Sequence, residues 1–262
     1  MNEMKGNSMA VFNSNDIYPV SADSELPFEQ HRDIFHLTGI DQEETILLLY
    51  PHSKDDKTRE ILFIRKSDNH TKVWEGEKLS KKQANELSGI DSIYLIDDFK
   101  DILSSIATKV DTFYINKNEH YRANSPVETR EDRFISWLLK KYPAHNVAKS
   151  NPILQRQRSV KHPDEIDQIK KACDITRKGF NRVLEFIKPN VWEYQIEAEF
   201  IHEFINSSSK GFAYSPIIAS GNDNNVLHYI KNNKQCKSGE LILMDVGAEY
   251  GNYSSDMTRT VP

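Results

Sequence analysis

Short apolar runs alternate with amphipathic segments along the first half of the chain. Runs of four residues rich in Ile and Leu are typical of strands buried in a sheet. Segments with apolar residues at helical spacing stand between them, and one begins at a capping serine, Ser80, and ends at Gly89. The predicted strands are 46–49, 61–64, 93–96 and 112–115, and the predicted helices are 80–87, 97–108 and 131–141. The first two strands are expected to pair, and the pattern predicts an α/β domain: a mixed sheet with flanking helices.

The pattern changes between residues 143 and 163, where three prolines stand among polar residues. We therefore predict two domains, 1–150 and 151–262, with the boundary in this segment. The second domain begins with two amphipathic helices, one from Pro163 to about residue 188 and one from Glu193. Strand-like segments follow at 216–219 and 226–230, and then a terminal hairpin. These elements predict two helices packed on an incomplete antiparallel sheet.

Composition excludes several classes of protein. The net charge is −5 and the pI is about 6.0, which argues against nucleic acid or an anionic membrane as a partner. The longest apolar runs fall far short of the ~20 residues that a membrane-spanning helix needs. The first residues lack the apolar core of a secretory signal, and only two cysteines occur, Cys173 and Cys236. A reducing, cytoplasmic location is therefore expected.

Candidate chemistry is concentrated in the last stretch, 240–262, which reads ELILMDVGAEYGNYSSDMTRTVP. An apolar run ends on Asp245, and a glycine-containing turn region leads to a second segment that carries Asp256. A two-stranded antiparallel hairpin would bring these carboxylates side by side, which suits a divalent cation of the Mn, Mg or Zn kind. The alternative is an ion pair between Asp256 and Arg259, three residues later.

His228 is the second chemical candidate, because it follows an apolar pair in the strand predicted at 226–230. A lone histidine of this kind is commonly a hydrogen-bonded core residue. If the two aspartates bind metal nearby, the imidazole could instead donate to the substrate or transfer a proton.

Two segments, YSPIIASGNDNNVLHY (214–229) and MDVGAEYGNYSSDMTRTVP (244–262), resemble those of the aminopeptidase P family in order and spacing. Weaker similarity to the amino-terminal domain of that family covers 15–40 and 73–91. The resemblance implies a creatinase-like α/β domain followed by the first part of a "pita-bread" catalytic domain. It also implies a metallopeptidase that releases the first residue from peptides with proline in second position.

The resemblance further implies a cofactor and roles for individual residues. Two divalent cations, usually manganese, hold a bridging hydroxide in this family. By position, Asp245 and Asp256 would be metal ligands, His228 would meet the substrate, and Tyr214 would line the site. Trp74 lies where the amino-terminal domain closes over an active site, sometimes that of a neighbouring subunit. A homodimer or higher oligomer is the expected assembly.

One departure from the family pattern concerns the remaining metal ligands. A dinuclear site of this family uses a histidine and two glutamates beyond the second aspartate, and the sequence has no residue after Pro262. The chain is therefore expected to be the amino-terminal portion of such an enzyme, with an unstable second domain. Alone it should bind manganese weakly and lack peptidase activity.

Two alternative functions stay open. A prolidase, which cleaves only Xaa-Pro dipeptides, is the nearer one. The other is a non-enzymatic pita-bread domain that binds peptides or histones without metal.

Overall fold

Residues 1–120 and 126–262 are described in the computed structural model of the chain, which divides into two units, Met1–Val160 and Lys161–Pro262. Each unit contains its own clusters of buried apolar side chains. Within the described residues, no helix is both long enough and apolar enough to cross a lipid bilayer.

A six-stranded mixed sheet forms the centre of the first unit. The strands of this unit are β1 (Ser8–Asn13), β2 (Pro19–Ser21), β3 (Ser24–Glu25), β4 (Ile46–Leu49), β5 (Glu60–Ile64), β6 (Ser92–Leu95), β7 (Thr112–Ile115) and β8 (Asn146–Lys149). β2 and β3 pair separately, and the others have the order β6-β5-β4-β1-β7-β8. β4 pairs antiparallel with β1 and β5, whereas the outer pairs are parallel. The four predicted strands and the pairing of the first two are confirmed.

Helices cover both faces of this sheet. They are α1 (Arg32–Thr38), α2 (Asn69–Glu75), α3 (Lys81–Ser88), α4 (Phe99–Ala107), α5 (Arg130–Lys141) and α6 (Asn151–Ser159). The core on one face includes Phe12, Leu47 and Leu62 of the sheet with Ile34, Ala84 and Leu154 of helices. The core on the other face includes Val11, Leu48 and Phe63 with Leu103 and Leu138. The unit is therefore a mixed sheet between two helical layers, the predicted α/β class.

β1 is the central strand that the sequence pattern did not predict. All six of its residues are buried, and alternate side chains contribute to the two cores. Its apolar run, from Met9 to Phe12, is only four residues long and includes Ala10, a residue type that is depleted in strands. A strand buried on both faces lacks the alternation of apolar and polar residues that reveals a half-exposed one.

The first unit extends beyond residue 150, where the sequence pattern predicted its end. β8 pairs in parallel with β7 at the edge of the sheet, and Leu154 of α6 is buried in the first core. The prolines of this segment are compatible with these elements because Pro152 lies in the first turn of α6, where a missing N–H costs nothing.

The second unit packs two long helices against two small sheets. Its elements are α7 (Pro163–Phe186), α8 (Glu193–Asn206), β9 (Gly211–Phe212), β10 (Ile217–Ser220), β11 (Ile242–Val246), β12 (Ala248–Tyr250), β13 (Tyr253–Ser254) and β14 (Met257–Val261). The sheets have the orders β10-β11-β14 and β13-β12-β9, and all of their strand pairs are antiparallel. Side chains of both helices and of the strands share one core. Both predicted helices and the strand near 216–219 are confirmed.

Two predictions about this unit need correction. The segment 226–230 is not a strand: it forms a turn and extended coil in which only Tyr229 is buried. The terminal stretch is also more than a simple hairpin. β11 and β14 pair antiparallel as expected, but the chain between them forms a second hairpin, β12 and β13, that belongs to the other sheet.

Gly179 of α7 provides a test of this helix packing. A Cβ atom there would lie 2.7 Å from the Phe204 ring and 2.9 Å from the Phe200 ring. We expect Gly179→Ala to lower the free energy of unfolding by about 1–3 kcal/mol through overpacking. In an exposed helix the same change would stabilise by about 1 kcal/mol, because alanine has the higher helix propensity. Urea denaturation followed by circular dichroism measures the change. Asn181→Ala, at an exposed position of α7, is the control and should be neutral or stabilising; the same result for Gly179→Ala would contradict the packing described.

Candidate metal centre

Asp245 lies on the face of β11 that is turned away from the main core. Along this strand, Ile242, Met244 and Val246 are buried, whereas the residues between them are half-buried. Successive side chains of a strand point to opposite faces, so Asp245 shares a face with Leu243. The apolar run that ends on Asp245 therefore has side chains on both faces of the sheet. The Asp245 carboxylate lies on the face that is turned away from the main core.

Asp256 is an exposed residue that directly precedes β14. The residue before it, Ser255, is fixed by hydrogen bonds. Its backbone N–H donates to the Ala248 carbonyl at 3.0 Å, and its hydroxyl lies 2.6 Å from the Thr176 hydroxyl of α7. The Ala248 N–H in turn approaches both hydroxyl oxygens at 2.9 Å. The segment that carries Asp256 is thus attached to β12 and to α7.

Gly247 allows this attachment because it has no side chain. A Cβ atom at this position would overlap the carbonyl oxygen of Ser255 and would lie 3.1 Å from the Tyr214 ring. Gly247 also accepts a backbone hydrogen bond of 2.8 Å from the Ala213 N–H. The close approach of three chain segments around Gly247 brings Tyr214 to the same place as the two aspartates.

The Tyr214 hydroxyl is the point at which the two carboxylates meet. It lies 2.7 Å from Oδ1 of Asp245 and 3.2 Å from Oδ1 of Asp256. One hydroxyl has one proton, so it cannot donate fully to both oxygens, and the shorter distance identifies Asp245 as the acceptor. Burial, together with the hydrogen bond to Asp245, raises the pKa of Tyr214 well above its ordinary value. Tyr214 therefore remains a neutral donor beside two acidic groups.

The ion pair between Asp256 and Arg259 does not form. In the register of β11 and β14, Arg259 stands opposite Met244, whereas Thr258 stands opposite Asp245. Residues directly opposite in an antiparallel pair share a face, so Arg259 extends from the other face of the sheet. Its guanidinium donates to the Thr258 carbonyl at 2.7 Å. Among the ion pairs of the described residues, none includes Asp245 or Asp256.

The donor set is that of a partial cation site. The two carboxylates share one neutral hydroxyl, the Tyr214 phenol. Two like charges that lie this close to the same atom repel each other unless a cation lies near. Carboxylate oxygens are the ligands that Mn²⁺ and Mg²⁺ prefer. Over 1–120 and 126–262, no group of three or more His, Cys, Asp or Glu side chains is arranged to hold a metal ion. Asp245 and Asp256 therefore fit as two ligands of a larger set.

The other two candidate residues lie elsewhere. His228 is an exposed residue of the turn that replaces the predicted strand, and no hydrogen bond between described residues joins it to either aspartate. Trp74 belongs to α2 of the first unit, is 75 % exposed, and has its ring 6.1 Å from that of His70. The structure thus brings together Tyr214, Asp245 and Asp256, whereas His228 has no hydrogen bond to these three among the described residues and Trp74 belongs to the other unit.

Sequence reasoning gave Gly247 only a general turn role and missed Thr176 and Ser255. Thr176 is separated by 79 residues from its partner Ser255, and no local pattern relates them. The position of Ser255 directly before Asp256 was the one available signal, because holding Ser255 also holds the backbone of the predicted ligand.

Comparison with known proteins relates both units to one class of enzyme. Residues 1–114 match the family model for the aminopeptidase P amino-terminal domain, and residues 167–262 match the model for metallopeptidase family M24. The Xaa-Pro aminopeptidase of Escherichia coli is 30% identical over 248 residues, which cover 92% of this chain and 55% of the relative. Human Xaa-Pro aminopeptidase 3 is 29% identical over 252 residues, covering 95% and 49%.

Solved structures give the same result. Aminopeptidase PepP of Pseudomonas aeruginosa matches with a TM-score of 0.88 and 28% identity, covering 100% of this chain and 59% of that one. Zinc-substituted Escherichia coli aminopeptidase P in complex with product matches with a TM-score of 0.87 and 29% identity, covering 99% and 59%.

The matches of both units identify a chain of the M24 metallopeptidase class. Within that class it belongs to the aminopeptidase P family, and it corresponds to the amino-terminal domain and the start of the pita-bread domain. The chain spans about half the length of the curated relatives it matches.

Gly247→Ala tests how the site is assembled. The new methyl group would push the Ser255 carbonyl away, so we expect a loss of roughly 1–3 kcal/mol or more in the free energy of unfolding. Faster amide hydrogen exchange of Ala248 and Ser255 should accompany this loss. Gly6→Ala is the matched control, because nothing lies within 4 Å of a Cβ built at Gly6. A Gly247→Ala protein with wild-type stability and exchange would contradict the assembly described.

Proposed function

We propose that this chain provides the amino-terminal domain and two metal ligands of an Xaa-Pro aminopeptidase. The observation that carries the proposal is the meeting of Asp245 and Asp256 at the Tyr214 hydroxyl, with no cationic partner for either among the described residues. The names of the relatives support the substrate class, because the Escherichia coli and human proteins are both Xaa-Pro aminopeptidases.

The chain's own residues would have separate tasks in such a site. Asp245 and Asp256 would hold the metal, which when bound would act as a Lewis acid toward the peptide carbonyl and lower the pKa of water. Tyr214, by donating to Oδ1 of Asp245, would fix the orientation of that carboxylate and leave its other oxygen available. His228 is exposed and therefore accessible to a peptide, to which it would donate a hydrogen bond or a proton.

The finer points of the proposal concern the metal, the substrate and the assembly. We propose two ions, with manganese as the natural metal, since oxygen ligands suit hard divalent cations. The substrate would be a peptide with proline in second position. Trp74, as an exposed aromatic side chain, would contribute to substrate enclosure. A cytoplasmic location and a homo-oligomer remain predictions.

Metal binding by the isolated chain tests the two proposed ligands. Two carboxylates are fewer than the six ligands that Mn²⁺ usually takes, so we expect weak binding in a calorimetric or electron paramagnetic resonance titration. Asp245→Asn and Asp256→Asn should each weaken it at least about tenfold, because each removes a charged ligand. Asp174→Asn is the matched control, since this exposed aspartate pairs with Arg177 at 2.6 Å. Equal affinity in all three variants would exclude the proposed site.

Peptidase activity tests the function itself. Residues 1–262 alone should release no amino-terminal residue from Xaa-Pro tripeptides in the presence of Mn²⁺, because among the described residues no three metal-ligating side chains come together. A hybrid in which this chain replaces the matching part of the Escherichia coli Xaa-Pro aminopeptidase should do so, and chelation or Asp245→Asn should abolish the activity.

Other results with the hybrid would exclude the aminopeptidase. Circular dichroism first establishes that the hybrid is folded. A folded hybrid that cleaves only dipeptides would be a prolidase, and one that binds peptides without cleaving them would be a binding module. Cleavage by residues 1–262 alone would contradict the proposal that this chain provides only two of the metal ligands.

A further inference from the structure

Glu193, the first residue of α8, is a fully buried carboxylate outside the candidate metal centre. Its Oε1 accepts hydrogen bonds from the backbone N–H and the hydroxyl of Ser220, both at 2.8 Å. Its Oε2 accepts from the Tyr229 hydroxyl at 2.8 Å and from the Lys234 N–H at 2.9 Å. All four partners donate, which matches the four lone-pair positions of an ionised carboxylate.

These partners lie at three points of one loop. Ser220 is the last residue of β10, Lys234 lies at the other end of the loop, and Tyr229 lies between them. The loop end is also attached through the backbone, because the Glu193 N–H donates to the Lys234 carbonyl at 3.0 Å. The Glu193 side chain therefore hydrogen-bonds to both ends of the loop and to its middle.

The loop has little else to hold its central part. From 225 to 231, Tyr229 is the one buried residue, whereas Val226, Leu227 and Ile230 are more than half exposed. Asn232 provides the next anchor, since its side chain accepts from the Ile218 N–H at 3.0 Å and donates to Glu197 at 2.8 Å. The position of the residues just before Tyr229 thus depends on how Tyr229 is held, by its hydrogen bond to Glu193 and by packing in an apolar cluster with Ile217, Ala219 and Leu243.

The charged and titratable groups around Glu193 leave this arrangement intact. Burial, with the hydrogen bond to Glu193, raises the pKa of Tyr229 to about 12, so the phenol keeps the proton that it donates. Burial also raises the pKa of the Cys236 thiol. The Lys234 ammonium lies away from the carboxylate contacts, donating to the Ser220 carbonyl at 2.9 Å and lying 3.5 Å from Asp223.

We propose that Glu193 is a positioning residue that fixes His228 for reaction through Tyr229, its neighbour in sequence. The proposal rests on the proposed function in one respect, the role of His228 toward the substrate. The anchoring of the loop is independent of that role and can be measured in the chain without activity.

Hydrogen exchange tests the anchoring in residues 1–262. In Glu193→Gln, the amide NH₂ must face the N–H of either Ser220 or Lys234, so one buried donor loses its acceptor. We expect peptides from 221–235 to exchange at least about tenfold faster than in the wild type. Tyr229→Phe should accelerate exchange only around 226–231. Glu199→Gln, the same change on the same helix, breaks the ion pair with Arg182 at 2.6 Å and should leave the loop unchanged.

Kinetics of the hybrid enzyme test the consequence for His228. Tyr229→Phe should lower kcat at least about tenfold while KM and Mn²⁺ affinity stay near wild type, because it disturbs one neighbour of His228 and no metal ligand. A loss of stability alone would instead lower the active fraction and Mn²⁺ binding together. Glu199→Gln should retain wild-type kcat.

The outcomes separate the two proposals. Wild-type exchange of the loop in Glu193→Gln would overturn the anchoring. Faster exchange with unchanged kcat in an active Tyr229→Phe hybrid would overturn the positioning role. If the folded wild-type hybrid cleaves no Xaa-Pro peptide, the proposed function fails, and the exchange measurement still decides whether Glu193 holds the loop.

Discussion

The repulsion between two carboxylates, held at one phenolic hydroxyl, is the constraint around which the second unit is built. Asp245 and Asp256 would separate if their backbones were free, since Tyr214 can donate only one proton. The pairing of β11 with β14 and the close approach at Gly247 prevent that separation. Hydrophobic burial in the shared core of α7, α8 and the strands supplies the free energy that holds this geometry. A fold stabilised elsewhere can thus hold two like charges close together, as the proposed metal site requires.

Most elements of the fold could be predicted from local patterns. The strands at 46–49 and 112–115 are short apolar runs, and the long helix α7 has apolar residues at helical spacing and a clear start signal at Pro163. β1 was missed because its short apolar run includes Ala10, which is depleted in strands, and, like β4, it has no alternation of apolar and polar residues. The prediction of a strand at 226–230 was wrong. Its apolar residues suggested burial, but Leu227 is 84 % exposed, and one buried tyrosine holds the segment.

The candidate site was predictable in part, and its supports were not. A carboxylate at the end of an apolar run, followed by a turn and a second carboxylate, indicates convergence whenever the two segments pair antiparallel. The contacts that complete the arrangement join residues far apart in sequence: Tyr214 with Asp245, and Thr176 with Ser255. Such contacts follow from the packing of α7 and β10 around the terminal strands, which no single segment encodes. The register likewise decided that Arg259 extends from the other face of the sheet, which spacing alone left open.

The surroundings of the carboxylates in this unit also indicate which of them can bind a cation. Glu193 is fully buried, and four donors occupy all of its lone-pair positions, so it has no free oxygen for a metal. Asp245 is half-buried and Asp256 is exposed, and the Tyr214 hydroxyl has only one proton to donate to the pair. Acidic groups of the same chemical type therefore have opposite roles. Complete saturation with donors suits Glu193 to its proposed role as an anchor, whereas the deficit of donors at Asp245 and Asp256 is consistent with their proposed role as metal ligands.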